Sequence, residues 1–168
     1  PRNIFVCSMA DLFGNWVPDE WISEVFNACK SAPQHRYMFL TKNPKRYIDL
    51  AYKGVLPIGN ENFWFGTTTT RPNDPFYYAD LCNTFVSIEP IHEPFVNLSD
   101  DGIAPATRCN WIILGAETGN RKGRITPEKH WMDELLHCAR ETNTPVFMKE
   151  SLREIMGDDF IQQFPWEG

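Results

Sequence analysis

The stretch RYMFLTKNPKRYIDLAYKG, Arg36 to Gly54, contains a complete strand-then-helix unit and decides the fold class. It opens with an aromatic and aliphatic run that predicts a buried strand. The segment after it has helical spacing, with Asn43 as the expected cap, Pro44 in the first turn and Gly54 as the stop signal. A buried strand followed directly by an amphipathic helix is the repeating unit of α/β proteins.

The same strand signal recurs along the whole chain. The runs are NIFVCS at 3, RYMFLT at 36, NFWFGTTTT at 62, NTFVSIEP at 83, NWIILGAE at 110 and PVFMKES at 145. Helical spacing between them is clearest in VPDEWISEVFNACK and in TPEKHWMDELLHCARET, where Thr126 is the expected cap and Pro127 suits the first turn. Strand starts lie roughly 20 to 35 residues apart, which is the length of a βαβ unit. Continuous apolar strands indicate that helices cover both faces of the sheet.

These signals predict a single α/β domain over residues 1–168, with parallel strands and outer helices. Six strands fit either an open doubly wound sheet or most of a β/α barrel, and a complete eight-unit barrel takes about 250 residues. We therefore expect an incomplete β/α (TIM-like) barrel. Because a strand signal follows Pro1 almost at once, we also expect that the chain is a fragment lacking an N-terminal βα unit. Residues 90–108 are expected to form one long loop.

Composition limits the class of protein. Hydrophobic residues make up 42% and charged residues 23%, as in ordinary globular domains. The net charge of -6 argues against strong general binding of nucleic acid, because that binding needs clustered Lys and Arg on phosphates. No apolar run approaches the roughly 20 residues of a membrane helix, and there is no basic-then-apolar leader. We expect a cytoplasmic protein without a membrane partner.

The cysteines give no metal or disulfide signature. The closest two, Cys7 and Cys29, are 22 residues apart, so neither a CxxC pair nor a zinc-ribbon spacing occurs. Most of the cysteines lie within or beside apolar segments, where cysteine packs as a small hydrophobic residue. The pattern predicts buried, reduced thiols.

Polar or ionisable side chains follow every predicted strand. Ligands bind at the carboxyl ends of parallel strands in both candidate architectures, so these residues are the candidate site. The candidates for cofactor binding are Ser8, Asp11, Lys42, Thr67, Thr68, Thr69 and Gly115, and the candidates for catalysis are Glu89, Glu117 and Lys149. Carboxylates and lysines concentrated at one rim exceed what solvation of strand ends requires, which predicts a ligand site.

Most of these candidates also have a structural explanation. Glu89 could act as a ligand or base, or form a salt bridge with Lys42 or Lys149. Asp11 could bind an amine or a ribose hydroxyl, or cap the turn before Gly14. The hydroxyls of the threonine run could line a site, or the run could reflect β-propensity alone. The two lysines could hold a carboxylate or phosphate, or simply extend to solvent.

Six blocks of this sequence carry a family resemblance. FVCSMADLFGNWVPDEWI, YMFLTKNPKRY, NFWFGTTTT, FVSIEP, WIILGAETG and VFMKES resemble, in order and spacing, a phage- and prophage-associated family of uncharacterised proteins grouped with radical S-adenosylmethionine enzymes. The similarity runs from about Ile4 to Ser151. The resemblance implies that Asp11, Thr67 to Thr69, Glu89 and Glu117 line the cofactor and substrate mouth.

The same resemblance implies a cofactor set. A CxxxCxxC segment upstream of the first block would hold a [4Fe-4S] cluster that reduces bound S-adenosylmethionine. That segment is absent from this chain, so both cofactors are expected only in a full-length protein and the chain alone is expected to be inactive. Where the family tends to have a second glycine and a serine, this sequence has Ala116 and Thr118. Where it tends to have glutamine and tryptophan, this sequence has Glu150 and Ser151.

Three functions remain open from the sequence. The chain could be the barrel portion of a radical S-adenosylmethionine-type enzyme acting on an unknown substrate. It could be a divalent-metal-dependent hydrolase or isomerase, with Asp11, Glu89, Glu117 and Glu150 as oxygen ligands for Mg or Mn. It could also be a non-catalytic phage interaction protein. Strand edges left unpaired by a missing barrel unit would favour self-association.

Overall fold

The computed structural model describes residues 1–95, 108–120 and 122–167. The strands are β1 Asn3–Val6, β2 Arg36–Thr41, β3 Phe63–Thr69, β4 Asn83–Ile88, β5 Trp111–Leu114 and β6 Val146–Met148. They are neighbours in one sheet in sequence order, and the pairs β1–β2, β2–β3 and β5–β6 are parallel. A doubly wound sheet would reverse its strand order at a switch point, whereas a β/α barrel keeps sequence order. The α/β prediction is confirmed, and the order is consistent with an incomplete barrel.

The helices are α1 Asp19–Lys30, α2 Lys45–Tyr52, α3 Lys129–Glu141 and α4 Arg153–Met156. The first three lie where the helical spacing predicts them. Helix α2 also ends as predicted, because Gly54 has a φ of 71° and its N–H donates to the carbonyl of Ala51 at 3.0 Å. Of the predicted loop at 90–108, residues 90–95 contain no helix or strand, and residues 96–107 lie outside the described residues.

The predicted helix caps are wrong. Pro44 is the N-cap of α2 and Glu128 that of α3, and neither makes a side-chain cap hydrogen bond. The side-chain amide of Asn43 donates instead to the carbonyl of Phe13 at 3.1 Å and to Oδ1 of Asn15 at 2.8 Å. Asn43 therefore joins two loops, and its side chain makes no cap hydrogen bond to α2.

The described residues form two compact units. The first unit comprises Pro1–Thr67 and Phe76–Phe85, and the second comprises Thr68–Pro75 and Val86–Gly168. The assignment of the chain to a single domain stays a prediction. Each unit is described by itself below.

An aromatic core fills the first unit. The phenylalanine rings of its strands and of α1 meet in edge-to-face and stacked pairs, with centroids 5.2 Å apart for Phe26 and Phe39 and 5.6 Å for Phe39 and Phe65. Tyr47 of α2 is fully buried, and its hydroxyl lies 3.0 Å from the carbonyl of Phe39 and 3.1 Å from that of Gly66. Burial raises the pKa of Tyr47 well above its usual value, so the group remains a neutral donor.

Gly66 of β3 leaves space for an aromatic ring. A Cβ atom at this position would lie 2.1 Å from the ring of Phe85 in β4, well inside van der Waals contact. Phe85 also meets Phe5 of β1 edge to face, with centroids 6.1 Å apart. The ring of Phe85 therefore occupies the space that any larger residue at position 66 would need.

The second unit is built on β5 and α3. All four residues of β5 are buried, and α3 buries a face made of Met132, Leu135, Leu136 and Ala139. The chain after α4 returns along β6, where the N–H of Met148 donates to the carbonyl of Ile161 and the N–H of Gln163 donates to the carbonyl of Val146, both at 2.9 Å. Residues 161–163 thus pair with an edge of β6.

The cysteines are all free, but they are not all buried. Cys29 and Cys109 are buried, Cys82 and Cys138 are half-buried, and Cys7 is exposed. The prediction of burial is wrong for Cys7 because it lies in the turn directly after β1, where its backbone has a φ of 54°. None of the α-helices in the described part of the chain has the length and apolar composition of a membrane span.

Candidate functional site

Three residues of the second unit, each following one of three consecutive strands, meet one another. Glu89 follows β4, Gly115 follows β5 and Lys149 follows β6. The Nζ atom of Lys149 donates a hydrogen bond to Oε2 of Glu89, so the two side chains form an ion pair. Of the two lysines considered from the sequence, Lys149 is thus the partner. The Lys149 side chain is 44% exposed and that of Glu89 30% exposed, so solvent reaches both charges.

Backbone hydrogen bonds place these three residues side by side. The N–H of Lys149 donates to the carbonyl of Leu114 at 2.8 Å, and the N–H of Gly115 donates to that of Ile88 at 3.0 Å. The carbonyl of Gly115 in turn accepts the N–H of Ile91 at 3.1 Å. The ends of β4, β5 and β6 are therefore held in register by the main chain, and the position of the ion pair follows from that register.

Gly115 provides the space in which the Glu89 carboxylate lies. A Cβ atom at position 115 would be 3.0 Å from Cγ, Cδ and Oε1 of Glu89, closer than nearly all real contacts of that kind. The carboxylate therefore lies directly on the backbone at the end of β5. The group that approaches Gly115 in the structure is thus a side chain of the same unit, and cofactor binding at Gly115 stays a prediction.

Two other carboxylates near these strand ends have partners of their own. Oε2 of Glu117 accepts the N–H of Ile125 at 3.4 Å, which closes the loop leading to α3. Glu150 accepts two hydrogen bonds from Arg153, at 2.7 and 2.8 Å. Hydrogen bonding to this guanidinium lowers the pKa of Glu150. Glu150 thus forms an ion pair with the first residue of the adjacent α4.

The threonines at the end of β3 have different surroundings. Thr67 is fully buried, and its hydroxyl accepts the N–H of Tyr77 at 2.9 Å. Thr68 is half-buried. Thr69 is 2% exposed, and its carbonyl accepts the N–H of Glu89 at 3.1 Å. Among the described residues no hydrogen-bond partner reaches the buried hydroxyl of Thr69. Thr69 thus supports the backbone that carries Glu89.

Sequence reasoning missed Asp74, which orders the turn after β3. Its Oδ2 accepts the N–H of Thr70 at 2.7 Å, the hydroxyl of Thr70 at 3.1 Å and the N–H of Arg71 at 3.0 Å. Burial raises the pKa of Asp74, but these hydrogen bonds outweigh burial and the pKa is lowered overall. Local turn signals would not have found these contacts, because an aspartate in a turn usually bonds to the backbone that follows it, whereas Asp74 bonds to residues that precede it.

In the first unit, Asp11 joins the loops that follow β1 and β2. Its Oδ1 accepts the N–H of Phe13 at 3.0 Å, and its Oδ2 accepts the hydroxyl of Thr41 at 2.9 Å and the N–H of Lys42 at 3.0 Å. Lys42 meets Asp11 through its backbone, and its side chain is exposed. Ser8 is exposed in the turn after β1. Both oxygens of Asp11 are therefore used within the chain, as in the capping alternative.

The geometry does not favour a divalent-metal centre. In the ranges that the structure describes, no group of three or more His, Cys, Asp or Glu side chains could hold a metal ion. The carboxylates considered as ligands for Mg or Mn have other partners, since Asp11 accepts backbone and hydroxyl donors, Glu89 pairs with Lys149 and Glu150 pairs with Arg153. No contact among the described residues supports the hypothesis of a divalent-metal-dependent hydrolase or isomerase.

The second unit also contains a cleft of about 530 Å³. It is lined by Ala139, Arg140, Asn143, Thr144, Pro145, Gln162, Gln163, Phe164 and Glu167. Pro145 precedes β6 whereas Lys149 follows it, so the cleft and the ion pair lie at opposite ends of this strand. The amino ends of barrel strands are associated with stability, not with ligand binding.

Comparison with known proteins gives one family. Searches of curated proteins and of solved structures found no match. The profile of the family described as "Protein of unknown function (DUF5131)" matches residues 1–154, which includes all six strands and every residue of the ion-pair site. The chain therefore belongs to the DUF5131 family.

Proposed function

We propose that this chain is the barrel portion of a radical S-adenosylmethionine-type enzyme and that its substrate binds at the carboxyl ends of β4, β5 and β6. The observation that carries the proposal is the meeting of Glu89, Gly115 and Lys149 at those ends. Two solvent-accessible opposite charges lie there on a glycine backbone, in the place where parallel α/β proteins bind ligands. The resemblance of the six sequence blocks to a family grouped with such enzymes supplies the reaction class and a phage or prophage context.

The described residues do not fit an iron–sulfur cluster. Such clusters are held by cysteine thiolates, and no described group of three metal-ligating side chains exists. Two of the five cysteines are buried, and each of the five is a free thiol. No catalytic step through a cluster is therefore assigned to this chain. The role proposed for its own residues is to bind and orient the substrate, since cofactors supply the difficult chemistry in such enzymes.

The test is to purify the product of the complete reading frame and reconstitute it anaerobically with iron and sulfide. We expect the visible absorption of a thiolate-bound cluster and, after reduction, conversion of S-adenosylmethionine to 5′-deoxyadenosine and methionine. A protein that binds no iron and sulfide under these conditions would show that the proposal is wrong. A cluster without deoxyadenosine formation would contradict the assigned reaction class while leaving an iron–sulfur protein.

A further inference from the structure

We propose that Glu89 and Lys149 form a binding site for the zwitterionic head group of an α-amino acid, which is the substrate class of this enzyme. The Glu89 carboxylate would accept the α-ammonium group of the ligand, and the Lys149 ammonium would donate to its α-carboxylate. This assignment rests on the proposed function, because it identifies what binds at the same strand ends.

The ion pair is placed so that it can change partners. Both side chains are partly exposed, and an exposed ion pair contributes little to stability. Both groups lie on flexible side chains, whereas the backbone beneath them is fixed by the hydrogen bonds of Gly115 and Leu114. Opening the pair therefore leaves the strand ends unchanged.

The opposite charges of Glu89 and Lys149 determine which class of ligand the site should prefer. A ligand with both charges replaces the Glu89–Lys149 ion pair by two ion pairs, one with each residue. Neither Glu89 nor Lys149 is then left without a counter-charge. A simple amine would satisfy Glu89 but leave Lys149 unpaired, and a simple carboxylic acid would do the reverse. A ligand with one charge exchanges one ion pair for another, whereas a zwitterion forms two in place of one, so the site should favour the zwitterion over both.

Several backbone groups beside the ion pair are already used by other described residues. The N–H and carbonyl of Gly115 are bonded to Ile88 and Ile91, and the N–H of Ala116 donates to the hydroxyl of Ser151 at 3.0 Å. The space left by the missing Cβ of Gly115 is filled by the Glu89 carboxylate itself, which lies against the backbone there. A head group would therefore reach the two charges from the side that is exposed to solvent.

The experiment measures ligand binding to the full chain by saturation-transfer NMR and calorimetry. The probes are L-alanine, L-leucine, L-lysine, L-glutamate and L-tryptophan, each beside its N-acetyl and its amide derivative, with S-adenosylmethionine as a separate probe. We expect at least one free amino acid to bind, and removal of either head-group charge to weaken binding roughly tenfold or more. A derivative that binds as tightly as its free amino acid would overturn the assignment.

Variants connect the binding to the two residues. Glu89→Gln and Lys149→Met should each weaken amino-acid binding roughly tenfold or more. The matched controls are Lys129→Met, whose lysine is 42% exposed and paired with Asp133, and Glu150→Gln, whose glutamate is paired with Arg153. Both controls should bind as the unchanged chain does. Equal weakening in the controls, or none in the two site variants, would overturn the proposal.

The outcomes separate this inference from the proposed function. If no amino acid of the panel binds while the complete gene product cleaves S-adenosylmethionine, the amino-acid assignment is wrong and the reaction class stands. If amino acids bind through Glu89 and Lys149 but no cluster forms, the site is correct and the reaction class is wrong. Binding of S-adenosylmethionine alone, unaffected by both variants, would also reject the amino-acid site.

Discussion

Asp11 in the first unit and Glu89 in the second are carboxylates that follow parallel strands, yet they are held by different kinds of partner. Asp11 accepts two backbone N–H groups and one hydroxyl, whereas Glu89 pairs with the ammonium group of a flexible lysine. Backbone donors cannot move without moving the loop that carries them, but a lysine side chain can. The comparison teaches that two carboxylates in equivalent positions after strands can differ in whether their partners belong to the backbone or to a side chain.

The largest effect is expected when the Asp11 carboxylate, which is held by backbone donors, is removed. Asp11→Ala should lower the free energy of unfolding by about 2 to 4 kcal/mol, because three donors in two loops lose a charged acceptor. Urea denaturation followed by tryptophan fluorescence measures the change. As a control, Asp49→Ala removes an exposed helix pair with Lys45 and should cost only about 0.3 to 0.5 kcal/mol. Equal losses in the two variants would contradict the anchored role of Asp11.

A smaller loss is expected where the floor of the ion-pair site is filled. Gly115→Ala should lower stability by about 1 kcal/mol, because the new methyl group would displace the Glu89 carboxylate, which is the end of a flexible side chain. Amino-acid binding should weaken at the same time. Gly14→Ala is the comparison, since the atoms its Cβ would meet belong to the ring of Trp16, which is 79% exposed and can turn away. Unchanged stability and unchanged binding in Gly115→Ala would show that the carboxylate does not need this space.

Asp74 allows a test of pH dependence within the second unit, because its carboxylate, like that of Asp11, is held by backbone N–H donors. Its folded-state pKa is lowered, so its contribution to stability is present above the unfolded pKa and is lost as the pH falls through the folded pKa. Asp74→Asn should therefore reduce the loss of stability on acidification below about pH 4. Urea midpoints measured across this range for both proteins test the effect. If the urea midpoints of the two proteins fall equally as the pH is lowered, the hydrogen bonds of Asp74 do not stabilise the fold in solution.

The smallest effect on stability is expected at the ion pair itself. Glu89→Gln and Lys149→Met should each change the free energy of unfolding by less than about 1 kcal/mol, since both side chains are partly exposed. A double-mutant cycle should give a coupling of about 0.2 to 1 kcal/mol. A coupling above about 2 kcal/mol would indicate a structural pair that a ligand cannot open.

Most of the secondary structure was readable from the sequence because it depends on local pattern. The run around Phe39 and the run around Ile112 are apolar on both faces, which is typical of strands covered by helices. Gly54 ended α2 as expected, because a positive φ is a local property that glycine meets without strain. The choice of an incomplete barrel over a doubly wound sheet had to come from chain length and the early first strand, since local pattern does not specify which strands become neighbours.

The partners of polar groups were less predictable because they depend on tertiary position. Nothing in the local sequence distinguishes Lys42 from Lys149 as the partner of Glu89, since both follow buried strands. Asn43 has the local signature of a helix cap, but a neighbouring loop offers its amide two acceptors. Residues 161–163 pair with β6 although the sequence around them has no strand signal. The edge of β6 provides the backbone donors and acceptors for this pairing.

Gly66 and Phe85 have a consequence for how this family can change over time. Because the ring of Phe85 fills the volume beside the bare Cα of Gly66, neither position can accept a larger side chain independently. A relative that carries alanine or serine at the first position should carry a smaller residue at the second. The two sites should therefore covary, and designed libraries should vary them jointly.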